Sequence, residues 1–157
     1  MRISTILVPT DFSPNAQIAF KRAWDLALQT GSRLYVLHVQ DESTLRLAIK
    51  EGLLRDDSTE KELAEQVEQL IDRRFAVMLA GFDESEVAVE RLSQRGDPKS
   101  EVTRFAEDVQ ADLIAIGLTG AGAVERMIGS VFGSVADSVI RKSPCPVLVV
   151  RIDHGSE

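Results

Sequence analysis

Residues 113–134 read LIAIGLTGAGAVERMIGSVFGS and combine three features that point to an α/β protein. Its apolar start, Leu113–Ile116, predicts a buried strand, and Gly133 begins a predicted helix that extends to Lys142. Between the strand and the helix lie glycines at 117, 120, 122, 129 and 133, half of the ten in the chain. Glycine lets a backbone turn with positive φ and lets its amides approach a ligand closely. The order strand, glycine-rich connection, helix is typical of α/β proteins that hold a ligand at this point.

The glycine-rich segment Gly117–Ser134 predicts a phosphate-binding site. Backbone amides and a helix N-terminus supply positive partial charge to a phosphate, and the Ser134 hydroxyl adds a donor. The alternative is a connection that needs glycine only to turn the chain. The segment is not a P-loop, because it contains no Gly-Lys-Ser/Thr. It is not a dinucleotide fingerprint either, because Pro9-Thr10-Asp11 rather than a glycine turn follows the first strand.

Strands and helices alternate on both sides of this segment. Apolar runs predict three further strands, at Ile3–Val8, Leu34–Val39 and Pro146–Ile152, and alternating apolar residues predict a fourth at Glu84–Leu92. Helical spacing predicts helices from Ser13-Pro14 to Gly31, within Asp41–Asp57, over Thr59–Leu79 and from Asp97-Pro98 onward. Buried strands that alternate with amphipathic helices predict one α/β domain over residues 1–157, a three-layer sandwich around a parallel sheet.

The ligand edge of such a sheet lies where the strand order reverses, at the carboxyl ends of the strands. If the order is 3-2-1-4-5, the reversal brings Pro9–Asp11 beside Gly117–Gly120. Asp11 is then placed to accept hydrogen bonds from ribose hydroxyls or to contact a metal. The alternative is that Asp11 or Ser13 caps the following helix.

The composition limits the classes of function. The net charge of −7 and a scattered set of basic residues argue against nucleic acid as a partner. The single cysteine allows no internal disulfide and suits a reducing compartment. The apolar run at the N-terminus is too short for a signal peptide, and no stretch approaches the roughly 20 apolar residues that span a bilayer. We therefore expect a cytoplasmic protein with no membrane partner.

Two side chains of chemically reactive types, His38 and Cys145, are interpreted as structural. His38 lies inside an apolar strand, which favours a hydrogen-bonded core or interface histidine over a ligand. Cys145 lies between two prolines and has no partner cysteine, so a reactive thiol is not expected.

The chain resembles the universal stress protein family, and specifically its ATP-binding members. The pieces that carry the resemblance are ILVPTDFS (6–13), LHV (37–39), GDP (96–98), ADLIAIGLTG (111–120) and GSVADSVIRKSPCPVLVV (133–150). They extend over almost the whole chain in the family's order, and the last two are specific together. The resemblance implies a five-stranded parallel sheet of order 3-2-1-4-5, and a homodimer through the last strand, Val147–Val150.

The resemblance also implies which residues bind the nucleotide. ATP-binding members hold the phosphates with a Gly-x2-Gly-x9-Gly-Ser/Thr pattern. Gly117 and Gly120 match its start and Gly133-Ser134 its end, but twelve residues rather than nine separate Gly120 from Gly133. Gly129-Ser130, which eight residues separate from Gly120, is a further candidate for the phosphates. The remaining implied roles are ribose contact by Asp11, an adenine contact by the backbone of Val39 and a base pocket shaped by Pro9 and Thr10. Val135, which follows Gly133-Ser134, is a further predicted nucleotide-binding residue.

Three functions fit these observations. The first is a stress-response or signalling module in which ATP, ADP or AMP, with or without Mg²⁺, regulates conformation or dimerisation. The second is a weak ATPase or phosphotransferase, which the absence of a lysine in the glycine-rich segment disfavours. The third is an interaction module that has lost nucleotide binding, which the altered spacing favours and the retained glycines oppose.

Overall fold

Five parallel strands form one sheet in the order β3-β2-β1-β4-β5, so the predicted α/β fold and strand order are confirmed. The computed structural model describes residues 1–53, 59–118 and 133–151. The elements are β1 (Thr5–Pro9), α1 (Pro14–Thr30), β2 (Arg33–Gln40), α2 (Glu42–Lys50), α3 (Glu60–Leu79), β3 (Val89–Arg95), α4 (Pro98–Asp108), β4 (Leu113–Gly117), α5 (Ser134–Lys142) and β5 (Val147–Val150). The register pairs Ile6 of β1 with both Leu34 of β2 and Leu113 of β4, which makes β1 the central strand.

Helices cover both faces of the sheet and give it three layers. Side chains alternate along each strand, so Val36 packs with α1 and α3 on one face, whereas Leu37 packs with α4 and α5 on the other. The first face is rich in aromatic residues: Phe20 and Trp24 of α1 meet Phe82 with ring centroids 4.9 and 5.0 Å away. Two separate apolar layers therefore hold the central strands from both sides.

Local capping explains why two of the predicted helices have the bounds that the sequence indicates. The Ser13 side chain accepts a hydrogen bond from the amide of Ala16, Pro14 opens α1, and Gly31 closes the helix with a left-handed φ of 71°. Thr59 and Glu62 form a reciprocal capping box at the start of α3. These contacts confirm the predicted helices that begin at Ser13-Pro14 and at Thr59.

The predicted strand over Glu84–Leu92 is wrong at both ends, because β3 covers Val89–Arg95. Asp83 holds the preceding residues in a turn: its carboxylate accepts from the Ser85 amide at 3.0 Å, and its carbonyl accepts from the Glu86 amide at 2.9 Å. Val87 is buried although it precedes the strand, so its alternation with Val89 imitates a strand pattern. The first and last predicted strands are also shorter in the structure, and Ile152 lies outside the described residues.

Candidate functional site

The turn after β1 is held by the polar groups of Thr10. Its amide donates to the Leu37 carbonyl at 2.8 Å and continues the pairing with β2 by one residue. Its hydroxyl oxygen accepts from the Phe12 amide at 3.0 Å. Phe12 has a positive φ of 62°, which is uncommon for a bulky residue. The carboxyl end of β1 is therefore a defined turn in an unusual backbone conformation.

Ser13, rather than Asp11, caps α1. The Ser13 hydroxyl oxygen accepts from the Ala16 amide at 3.3 Å, whereas the Asp11 carboxylate accepts from the Ser13 amide at 2.9 Å. Asp11 is half-buried and precedes the cap at the sheet edge. The alternative that Ser13 caps α1 is therefore confirmed, and the Asp11 carboxylate holds the turn that leads into that cap.

Gly117 ends β4 in close contact with the first turn of α1. A Cβ atom at this position would lie 3.0 Å from the carbonyl oxygen of Asn15 and 3.1 Å from its carbonyl carbon. Its φ is not positive, so the conformational freedom of glycine is not what this position requires. The glycine is required because β4 approaches the backbone of α1, which brings the ends of β1 and β4 together.

Two backbone hydrogen bonds fix the ends of the glycine-rich segment. The Leu118 amide donates to the Val150 carbonyl, and the Gly133 amide donates to the Leu118 carbonyl, both at 3.0 Å. The chain therefore returns at Gly133 to the point that it left at Leu118. The predicted phosphate residues Gly120, Gly129 and Ser130 lie outside the described residues.

The first turn of α5 begins beside this closure. Gly133 is its N-cap, with φ −65° and ψ 159°, and it provides no side-chain hydrogen bond to the helix amides. In contrast, side chains of Ser13, Thr59 and Asp97 cap α1, α3 and α4. Ser134 is exposed, and Val135 packs partly into the apolar layer. The amides of this turn are thus the kind of donors that an anion accepts.

Val39 lies beyond the end of β1. The pairing of β1 with β2 stops at Pro9 and Leu37, and the Leu37 carbonyl faces β1 because it accepts from Thr10. Backbone groups of a strand point to the same side at every second residue, so the amide and carbonyl of Val39 also point toward the β1 side. The backbone of Val39 therefore lies near Thr10, at the carboxyl end of the sheet.

The predicted core histidine is confirmed, and it contacts the candidate site. His38 is 2 % exposed; its Nδ1 lies 2.8 Å from the Thr10 carbonyl oxygen, and its Nε2 lies 2.8 Å from the Thr44 hydroxyl. Burial lowers the pKa of His38, and this effect outweighs the opposing influence of the Thr10 carbonyl and of Asp11, Asp41 and Glu68. The contact with Thr44 has no signal in the sequence, because Thr44 lies in a polar stretch that shows no pattern.

No group of three or more His, Cys, Asp or Glu side chains that could hold a metal ion occurs within residues 1–53, 59–118 and 133–151. Within the same ranges, no helix is both long and apolar enough to cross a membrane.

Comparisons with known proteins agree on one family. The model of the universal stress protein family matches residues 2–151. A putative universal stress protein of Staphylococcus saprophyticus is 35% identical over 98% of this chain and 86% of its own length. A universal stress protein of Methanocaldococcus jannaschii is 34% identical over 93% of this chain and 81% of its own length.

Solved structures share the fold. The hypothetical protein MJ0577 superposes with a TM-score of 0.77 at 28% identity, over 99% of this chain and 100% of that one. A universal stress protein in complex with cAMP has a TM-score of 0.60 at 21% identity, over 98% of this chain and all of the other. A universal stress protein from Archaeoglobus fulgidus in complex with dAMP has a TM-score of 0.58 at 22% identity, over 95% and 98%. The last two comparisons establish similarity of fold.

Proposed function

The chain belongs to the universal stress protein family, and from this we propose that it binds an adenine nucleotide, ATP, ADP or AMP, between the ends of β1 and β4. In this proposal it is a stress-response or signalling module, and the bound nucleotide regulates its conformation or its dimerisation. A cytoplasmic location is part of the proposal and is tested by fractionation of cells that produce the protein.

One observation carries the proposal: two separate parts of the chain meet at one edge of the sheet. Asp11 and the backbone of Val39 lie at the ends of β1 and β2, while Gly117 and the first turn of α5 lie at the end of β4. An acid suits ribose hydroxyls, and helix amides without a side-chain cap suit phosphates. Proteins of the same fold hold cAMP and dAMP, so adenine nucleotides are the first ligands to test.

Mg²⁺ enters the proposal as an ion that the phosphates would hold. Mg²⁺ keeps several waters and is usually bound through one or two carboxylates together with substrate phosphates. Asp11 supplies a carboxylate at the correct edge, so it fits such an ion, which would neutralise phosphate charge. The described residues contain no ready-made metal cluster, and we therefore expect metal binding to depend on the nucleotide.

The decisive experiment is calorimetry with ATP, ADP, AMP and adenosine, together with mass spectrometry of what co-purifies with the protein. Asp11→Ala should weaken binding roughly 10- to 100-fold, because it removes charged hydrogen bonds to the ribose. Asp83→Ala is the matched control: Asp83 also accepts from the amide two residues later, but in an exposed turn before β3. It should bind normally.

Absence of binding up to millimolar concentrations would overturn the proposal and favour an interaction module without a nucleotide. Steady release of phosphate above background, lost in Asp11→Ala, would instead support the hypothesis of a weak ATPase or phosphotransferase.

A homodimer through Val147–Val150 belongs to the same proposal. β5 is an edge strand and Leu148 is 37% exposed. An apolar edge strand offers backbone groups to a second copy. Light scattering at micromolar concentration should give the mass of a dimer. Leu148→Lys should shift it toward the monomer, whereas Leu28→Lys, at an exposed leucine of α1, should not. A monomeric wild-type protein would contradict this part of the proposal.

A further inference from the structure

A buried polar pair connects helix α2 to the turn after β1. His38 of β2 and Thr44 of α2 are 2% and 3% exposed. The imidazole lies between two partners, the Thr10 carbonyl at its Nδ1 and the Thr44 hydroxyl at its Nε2, each at 2.8 Å. The contact therefore extends from α2 through the side chain of His38 to the backbone of Thr10.

The chemistry of these partners sets the direction of both hydrogen bonds in the neutral imidazole. A carbonyl oxygen only accepts, so Nδ1 carries the hydrogen and donates to Thr10. Nε2 is then the acceptor, and the Thr44 hydroxyl donates to it. Both ring nitrogens have a hydrogen-bond partner only while α2 keeps Thr44 in place. Movement of α2 would leave Nε2 buried without a partner, which costs free energy. The position of α2 and the orientation of the imidazole are therefore linked.

The imidazole also packs against the residue that gives the turn its shape. The Phe12 ring lies 4.6 Å from that of His38 and makes an edge-to-face contact with Phe75 at 5.0 Å. The positive φ of Phe12 is unfavourable for a bulky residue and persists only where the surroundings hold it. His38 thus contacts both residues that flank Asp11: Thr10 by a hydrogen bond and Phe12 by ring packing.

We propose that His38 and Thr44 are positioning residues for the nucleotide site, and that they couple the occupancy of the site to the position of α2. The inference rests on the proposed function, because the positioned residues are Thr10 and Asp11. Coupling between two places in a protein is reciprocal. A ligand that orders the Thr10–Phe12 turn therefore stabilises α2, and loss of the Thr44 contact weakens the ligand.

The experiment compares Thr44→Val, which removes the hydroxyl and keeps the shape, with Thr44→Ser, which keeps the hydroxyl. Thr44→Val should lower the affinity for ATP roughly 5- to 20-fold, and Thr44→Ser should restore most of it. In hydrogen exchange, ATP should slow the amides of residues 45–50 in the wild type and in Thr44→Ser, but not in Thr44→Val. Ser32→Ala is the control. The Ser32 hydroxyl is also buried, but it donates to the Ile3 carbonyl near the amino ends of β1 and β2, far from the candidate site. It should leave the affinity unchanged.

Equal ATP affinity and equal protection of residues 45–50 in the wild type and in Thr44→Val would overturn the coupling while the proposed function stands. A wild-type protein that binds no adenine nucleotide would remove both. If Thr44→Val does not fold, the coupling is tested by the ¹⁵N NMR resonances of the His38 ring in the wild type. A shift of Nε2 on addition of ATP is expected, and an unchanged resonance contradicts the coupling.

Discussion

At the scale of single residues, the candidate site depends on close contacts that leave no room for larger side chains. At Gly117 the Asn15 carbonyl lies too close for a side chain. At His38 hydrogen bonds to both ring nitrogens hold the imidazole in one orientation. Neither residue is strained by its own backbone, since neither has a positive φ. Each residue holds part of the site in position, so a change at either residue should lower the stability of the fold as well as affect ligand binding.

Gly117→Ala should lower the free energy of unfolding by about 1–3 kcal/mol, because the new methyl group would press on the backbone of α1. Denaturant titration of the ligand-free protein measures the loss. Ser134→Ala is the control at the other end of the site, where the side chain is exposed, and its stability should remain within about 0.5 kcal/mol of the wild type. Unchanged stability of Gly117→Ala would mean that α1 moves away without cost.

The lowered pKa of His38 predicts a loss of stability in acid. Above the ordinary value of about 6.5, the imidazole is neutral in both the folded and the unfolded chain and adds no pH dependence. Below it the unfolded chain binds a proton that the folded chain resists, so the free energy of unfolding falls as the pH falls toward the folded pKa.

His38→Gln isolates this effect, because its side chain does not titrate. Between pH 7 and pH 5 (a range around the ordinary value of about 6.5), the stability difference between the wild type and His38→Gln should shrink as the pH falls. Denaturant titrations at several pH values give this difference. Parallel curves for the two proteins would show that the His38 pKa is not lowered in the fold.

At the scale of elements, α5 differs from its neighbours at its first turn. Serine, threonine and aspartate side chains cap α1, α3 and α4, whereas a glycine precedes α5. A glycine cap leaves helix amides without a side-chain acceptor, which costs some helix stability. At a phosphate site, the phosphate itself serves as the cap.

Gly133→Asp should therefore separate the stability of α5 from ligand binding. The backbone of Gly133, with φ −65° and ψ 159°, has a conformation that residues with a side chain readily adopt. The new carboxylate should raise the free energy of unfolding by about 0.5 kcal/mol through capping and the helix dipole. It should also repel the phosphates and weaken the binding of ATP roughly 10-fold or more. Thermal denaturation and calorimetry measure the two effects.

Gly133→Asn is the matched control, since asparagine caps a helix as aspartate does but carries no charge. If Gly133→Asp and Gly133→Asn bind ATP equally, the phosphates do not lie at α5.

The sequence predicted best the elements whose bounds depend on local contacts. The bounds of α1 follow from Ser13 and Gly31, which act within one turn of the helix. The start of β3 could not be predicted in this way, because the Asp83 turn lets Val87 be buried without being in the strand. The meeting of Asp11 with Gly117 at one end of the sheet could be predicted from the strand order that the family resemblance implies. The contact of His38 with Thr44 depends on the packing of α2 across the end of β2, which no local pattern records.

At the scale of the whole molecule, the net charge opposes the proposed ligand. The chain carries −7 at neutral pH, so a nucleotide approaches through a repulsive field, and local amides supply the attraction only at short range. Salt screens long-range repulsion more than contacts inside the site, because the screening length at physiological ionic strength is about 8 Å.

Added salt should therefore speed the association of ATP with the protein and leave that of adenosine, which is uncharged, unchanged. Stopped-flow measurements at several ionic strengths, without Mg²⁺, test this expectation. A rate for ATP that falls with salt would show that positive potential at the site extends farther than the net charge suggests.

The hydrogen bond from the Gly133 amide to the Leu118 carbonyl joins the end of β4 to the start of α5. Because both ends are joined at one point, residues can be inserted between them without moving β4 or α5. The three residues beyond the x9 spacing illustrate the small cost: lengthening even an unconstrained connection of this size by three residues adds about 0.2 kcal/mol of closure entropy. A reporter peptide inserted between Leu118 and Gly133 should therefore be tolerated by the fold, which denaturant titration of the insertion variant would measure.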